Sequence, residues 1–351
     1  MKNRILVAPL NWGLGHATRC IPIIRALEKS GFEPVIASDG IALELLKKEF
    51  AHLITLELPS YQIKYSEKGK NFKIKLFSQL PTIIKAIKAE RIATENIIKE
   101  YNISGLISDN RLGVYSKNIP SVFITHQLNV LTGNTTWIST KIHHHYIKKY
   151  NECWVPDMEK KPNLSGKLGH LEDPFSSLKY IGPLSRLHKK VTKNKYELMV
   201  ILSGPEPQRT LLEKKLITEL ENYTHKTLFI KGIIEDKQST YEEKNITYYN
   251  FMNSEQLEIA FNESSTILCR SGYTTIMDLA QLGKKAFFIP TPGQYEQEYL
   301  AKKLKQENIA PSCNQDNFSI EKLEQINSYK GFLNFSTEIS WKKLFSLFQG
   351  K

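Results

Sequence analysis

Residues 266–304 read TILCRSGYTTIMDLAQLGKKAFFIPTPGQYEQEYLAKKL, and the order of apolar runs and breakers in them decides the architecture. Thr266 to Cys269 is a short apolar run, Arg270 to Thr274 a turn, and Thr275 to Leu282 a helix with Ile276, Leu279 and Leu282 on one face. Gly283 stops that helix. Ala286 to Ile289 is a second strand, Pro290 to Gly293 forces another turn, and a further helix starts at Tyr295 with Glu296 and Gln297 in its first turn. Two strand-to-helix turns therefore open side by side, as in an α/β domain. A turn rich in Ser, Gly and Thr at a helix N-terminus presents backbone N–H groups, hydroxyls and the positive end of the helix dipole, which suits a diphosphate. An ordinary βα turn has the same composition, so the turn by itself leaves both readings open.

The run as a whole is more specific. Cys269-Arg-Ser-Gly272, Thr274, Thr275, Asp278, Gly283, Pro290 and the pair Glu296-Gln297 resemble the donor box of glycosyltransferase family 28. Members of that family include the enzyme that adds N-acetylglucosamine to the lipid precursor of peptidoglycan. The resemblance implies the GT-B fold, an α/β architecture of two Rossmann-like doubly wound domains facing across a cleft. It implies a UDP-sugar as donor, with Ser271, Gly272, Thr274 and Thr275 along the diphosphate and Arg270 in the same donor set. By the same resemblance Asp278 takes the ribose hydroxyls, while Glu296 and Gln297 reach the hydroxyls of the sugar.

The chain has 351 residues, more than one ordinary core holds, and its 41% hydrophobic and 24% charged composition is that of a globular protein of two domains. No apolar run approaches the roughly 20 residues of a membrane span, and Ile5 to Leu10 is too short for a signal peptide, so a cytoplasmic protein is expected. Cys20, Cys153, Cys269 and Cys313 show no metal or redox spacing and read as reduced thiols; no cofactor is expected. The net charge of +12 fits nucleic acid, an anionic membrane or anionic substrates equally. Its distribution is informative between residues 61 and 91, where Lys64, Lys68, Lys70, Lys73, Lys75, Lys85, Lys88 and Arg91 face only Glu67 and Glu90 and interleave with Phe72, Leu76, Phe77 and Ile84. Such a segment suits the inner face of the cytoplasmic membrane, as a peripheral contact. A solvated basic helix packed on its own domain is the plain alternative.

The first strand, Ile5 to Pro9, runs into Leu10-Asn-Trp-Gly-Leu-Gly-His16 and a helix reaching about Ser30. Gly13 and Gly15 permit a sharp turn and close ligand approach, His16 opens the helix, and Pro22 should bend it. With Arg19 following, this loop resembles the N-terminal glycine loop of family 28. Strands Gly105 to Ser108 and Ser121 to Thr125 end in Asp109-Asn110 and His126-Gln127. Polar residues at the carboxyl ends of successive parallel strands project into one crevice. His126-Gln127-Leu-Asn129 with Gly133-Asn134 partly resembles the acceptor-side segment of the family. His143, His144 and His145 are adjacent on a helix and point apart, which speaks against a metal site.

The first domain is expected over residues 1–163, the crossing over 156–179, and the second domain over 180–335, with residues 336–351 returning to the first as a helix. In the second domain the strand Leu198 to Leu202 leads into Ser203-Gly-Pro-Glu-Pro-Gln-Arg209, where the family has a more glycine-rich phosphate loop. Two prolines remove donors and Glu206 adds negative charge, so Ser203, Gly204 and Arg209 are the residues carried over. Phe251 and Met252 lie where the family's uracil pocket forms.

These readings converge on an inverting, metal-independent glycosyltransferase moving N-acetylglucosamine or another hexose from a UDP-sugar to a lipid-linked or glycan acceptor. The chain has no Asp-x-Asp motif to hold a divalent ion, and helix termini can neutralise the leaving UDP. His16 is the candidate base, because its unperturbed pKa near 6.5 matches the task; Asp109 and His126 are reserve bases, and Gly15 joins the donor set. A UDP-sugar hydrolase or epimerase on the same fold is the competing enzyme. A non-catalytic basic binding protein is the competing class, opposed by glycine turns clustered at strand ends and by the lack of any nucleic-acid module, so no nucleic acid partner is expected.

Overall fold

The computed structural model describes residues 3–61, 72–131, 136–233, 235–333, 335 and 338–349, and only the backbone of 72–81. The chain divides into two units, Met1–Leu184 with Glu338–Lys351, and Ser185–Thr337.

In the first unit β1 (Arg4–Pro9), α1 (Leu14–Lys29), β2 (Glu33–Ser38), α2 (Gly40–Glu49), β3 (Ile54–Glu57), α3 (Phe72–Tyr101), β4 (Ile103–Asp109), β5 (Ser121–Ile124), α4 (Thr136–Ile147), β6 (Glu152–Val155) and β7 (Leu178–Tyr180) alternate. The strands form one sheet in the order β3-β2-β1-β4-β5-β6-β7, every pairing parallel. Parallel strands covered on both faces need apolar side chains at every position, and Ile5, Leu6, Val7 and Ala8 of β1 are all buried. Strand order reverses between β1 and β4, so the loops leaving their carboxyl ends diverge and open a crevice.

The second unit holds β8 (Tyr196–Ile201), α5 (Gln208–Leu220), β9 (Thr227–Ile230), β10 (Thr240–Glu243), β11 (Ile246–Tyr249), α6 (Ser254–Asn262), β12 (Ser264–Cys269), α7 (Tyr273–Leu282), β13 (Lys285–Phe288) and α8 (Tyr295–Gln306). Its sheet runs β10-β11-β9-β8-β12-β13, parallel except for β10 against β11. Here the switch lies between β8 and β12. Gly283 ends α7 in the left-handed conformation, φ 65°, as a helix-stopping glycine should.

The last helix, α9 (Trp341–Phe345), continues into a 3-10 turn, Ser346–Phe348, and belongs to the first unit. Phe345 and Phe348 pack edge-on against Phe32, and Trp154 tilts against Phe345. A Cβ built at Gly105 of β4 would strike the Phe348 ring, so this strand position is kept bare for the returning chain.

Residues 156–179, read from sequence as the crossing, are folded into the first unit. The buried Asp157 carboxylate accepts from the backbone N–H groups of Met158, Leu164 and Ser165, and β7 then pairs with β6. Its composition is aperiodic because scattered buried residues such as Leu164 and Leu168, with the Asp157 carboxylate, order it in place of an apolar stripe.

Candidate active site

The first unit builds an ionic cluster at its switch point. Gly13, at φ 75°, supplies the left-handed turn that lets α1 start directly after the β1 loop, and Leu10 N–H clamps that loop to Asp109 O at 2.9 Å. Gly15 therefore sits inside the first helical turn instead of in the loop. His16 and Arg19, three apart, share a face of α1. That face meets Asp109, the last residue of β4, and His126, just beyond β5.

His16 Nδ1 is 2.8 Å from Asp109 Oδ1 and 2.7 Å from Arg19 Nη2. Arg19 grips the carboxylate side-on, Nε donating to Oδ2 at 2.5 Å and Nη2 to Oδ1, while its Nη1 donates to His126 Nδ1 at 3.1 Å. The Cys20 thiol adds a longer contact to Oδ2 at 3.7 Å. Asp109 is fully buried, yet Arg19 and then His16 overcome the desolvation penalty and hold its carboxyl well below the usual range. Burial first, and the Arg19 charge second, lower the pKa of His16.

These contacts assign protons. Asp109 has both oxygens occupied by protein donors and no tendency to bind a proton, which disqualifies it as a reserve base. His126 accepts from Arg19 at Nδ1, which spends that nitrogen's lone pair. His16 meets Asp109 and Arg19 through Nδ1, which leaves Nε2 the ring nitrogen turned away from both. Asn129 is turned to the carbonyls of Lys167 and His170, and Gly133-Asn134 lies outside the described residues. His143 packs edge-on against Phe123, and burial drives its pKa down to about 3.

In the second unit the turn after β12 opens α7. No side chain caps this helix N-terminus, and a Cβ built at Gly272 would meet nothing within 4 Å. Thr274 and Thr275 stand in its first turn, and Asp278 lies one turn on from Thr274 along the same face. Asp278 is half-buried and accepts from Ser185 Oγ at 2.6 Å; burial raises its pKa to about 6 against the pull of Arg186. Ser185 and Arg186 were not predicted as site residues, because their nearness to α7 is a contact across more than ninety positions of sequence.

Several expected donor residues are engaged otherwise. Arg270 is buried and donates to the carbonyls of Ile289, Pro290 and Gln208 and to Gln315 Oε1, binding the turns after β8, β12 and β13 together. Burial brings its pKa to about 10, so it stays charged as an internal brace. Arg209 is enclosed by Glu206 at 2.6 Å and Glu213 at 2.7 Å, which leaves it no net charge to offer a phosphate. Ser271 Oγ donates to Gln297 O at 2.8 Å, and the Gln297 amide accepts from Thr291 N and donates to Gln294 Oε1. Ser203 and Gly204 are exposed, Gly204 at φ 106°; Phe251, Met252 and Glu296 are half-buried.

Of the basic segment, residues 62–71 and the side chains of 72–81 lie outside the described residues. Glu90 is buried under Arg111, Tyr61 and the Gly113 N–H, and Arg91 pairs with Glu95 over the Tyr115 ring, whereas Lys85 and Lys88 are exposed. Among the described residues no helix is long and apolar enough to cross a membrane.

Two doubly wound units, one with an ionic cluster of His16, Arg19 and Asp109 at its switch point and the other with a serine–glycine turn opening α7, resemble known sugar-transferring enzymes. Residues 208–328 match the glycosyltransferase family 28 C-terminal domain. Over 93% of this chain and 89% of its own length, the UDP-N-acetylglucosamine–N-acetylmuramyl-(pentapeptide) pyrophosphoryl-undecaprenol N-acetylglucosamine transferase of Haemophilus ducreyi is 24% identical. An uncharacterised glycosyltransferase of Methanosarcina mazei is 22% identical over 87% of the chain and 84% of its own length. Among solved structures, Acinetobacter baumannii MurG superposes with a TM-score of 0.59 at 14% identity, covering 99% of each chain. The spinosyn rhamnosyltransferase SpnG reaches 0.64 at 14% identity over 99% of this chain and 96% of its own. The chain is a glycosyltransferase of the GT-B fold. Its second unit carries the family 28 domain.

Proposed function

We propose that the protein transfers a hexose, N-acetylglucosamine by likeness to its relatives, from a UDP-sugar to a lipid-linked or glycan hydroxyl, inverting the anomeric centre without a divalent metal. The observation that carries this reading is the uncapped N-terminus of α7 with Asp278 one turn on, inside the stretch that matches family 28. The helix dipole and the backbone N–H groups of its first turn stabilise the diphosphate as charge develops on the leaving UDP, a role a metal fills elsewhere. Asp278 accepts from the ribose hydroxyls. His16, its Nδ1–H donating to Asp109, takes the proton of the acceptor hydroxyl at Nε2 as the oxygen attacks the anomeric carbon.

The test is UDP release from a panel of UDP-sugars offered with lipid-linked and soluble acceptors. His16→Ala should cut turnover by about 10² to 10⁴, the usual worth of a positioned base, while UDP affinity stays within a few-fold. Turnover unaffected by the substitution would remove His16 as base, and free sugar formed without any acceptor product would favour a hydrolase. The exposed Lys85 and Lys88 support an acceptor reached at an anionic membrane surface as a peripheral contact on the cytoplasmic side, a part of the proposal that vesicle binding at low salt tests.

A further inference from the structure

Arg19 touches every member of the first unit's cluster, and no role in the reaction has yet been given to it. Its side-on grip uses Nε and Nη2 on the two oxygens of Asp109, and Nη1 is spent on His126. The cluster is buried: Arg19 is 2% and Asp109 0% exposed. A histidine facing a lone buried aspartate would be drawn toward its charged form, because imidazolium and carboxylate would then neutralise each other. Here the neutralising cation is already in place. A proton on His16 would add a second positive charge 2.7 Å from the guanidinium.

We propose that Arg19 is a positioning residue for the transfer reaction: its charge keeps His16 uncharged beside Asp109, which accepts Nδ1–H and so leaves Nε2 bare, and its Nη1–H holds His126 with the hydrogen on Nε2. This rests on His16 being the base. The charged and titratable groups acting on His16 are Arg19 of its own helix, Asp109 at the end of β4 and His126 beyond β5, while the Cys20 thiol meets Asp109. Beyond burial, which resists a charge on the ring, Arg19 is the main charge opposing protonation and His126 a lesser one, while Asp109 favours it, so removing Arg19 shifts the balance toward Asp109. His16 Nδ1 can donate to Asp109 or accept from Arg19, not both. Donation is the arrangement that serves catalysis, since the other puts the hydrogen on Nε2.

Nitrogen-15 NMR of the full-length wild-type protein reads both tautomers without any substitution. Nδ1–H is expected on His16 and Nε2–H on His126; Nε2–H on His16, or Nδ1–H on His126, would overturn the proposal. Arg19→Gln and Arg19→Lys, checked for folding by thermal unfolding and for an intact second unit by UDP affinity, supply the second readout. In Arg19→Gln the His16 titration midpoint should rise, and kcat/KM near pH 6 should fall about tenfold further relative to its value near pH 8.5 than in the wild type, one pK unit being a factor of ten. Arg19→Lys, which keeps the charge, should recover part of the shift. An unmoved midpoint in folded Arg19→Gln would overturn the role. A midpoint that moves while the acid limb of kcat/KM stays in place would instead take the base from His16, and with it Arg19's part in the reaction.

Discussion

At the scale of single residues, the structure separates histidines that look alike in the sequence. His143 has its Nε2 buried without a hydrogen-bond partner among the described residues, and burial brings its pKa to about 3. Its folded pKa is below the unfolded value of 6.5, so the unfolded chain binds the extra proton. Stability is therefore fully present above pH 6.5 and declines as pH falls toward 3, by about 1.4 kcal/mol per unit for one such group. His143→Leu should flatten the dependence measured by urea unfolding between about pH 4.5 and 6.5 by that slope. Equal slopes would show that the ring is protonated in the folded protein. The neighbouring histidines differ because each faces another direction on α4, which the sequence does show; that His143 meets the Phe123 ring is tertiary and it does not.

Among the elements, α7 is the one whose boundaries and neighbours were plainest in the sequence. Gly283 and Pro290 punctuate it, and its apolar face of Ile276, Leu279 and Leu282 is buried. What the sequence hid is where its polar neighbours point. Arg270 reads as an anion ligand until Gln315, 45 positions on, is found against it, and Arg209 until Glu213 is seen to close over it. His16 and Arg19, by contrast, stand three apart on one helix, a proximity that spacing reveals. The half-buried Asp278 gives the element a pH signature. Ribose hydroxyls donate to its ionised form, so affinity for an intact UDP-sugar should rise with pH through about 6 and then level, and Asp278→Asn should bind weakly with no such rise. The intact sugar nucleotide is the right probe, because its diphosphate diester has no proton to lose in this range. A wild-type affinity flat across that range would place the nucleotide away from Asp278.

For the whole molecule, the C-terminal return is a structural commitment of the first unit. Gly105→Ala should force the Phe348 ring aside and cost about 1–3 kcal/mol, as overpacking does, and Phe348→Ala about 3–5 kcal/mol through the lost ring. Because the alanine methyl would fill part of that vacated space, the double variant should be more stable than the sum of the single losses implies, a comparison denaturant unfolding makes directly. Strict additivity would mean that the two side chains do not meet. Whether the second unit holds the donor nucleotide at the start of α7 is best measured by calorimetric titration of the full chain with UDP. Binding should be saturable, weaken by at least about tenfold in Asp278→Asn, the worth of a hydrogen bond to a charged group, and be kept in Arg209→Ala, whose side chain is already paired with Glu206 and Glu213. Binding lost in Arg209→Ala and kept in Asp278→Asn, or no binding of UDP at all, would contradict donor binding there.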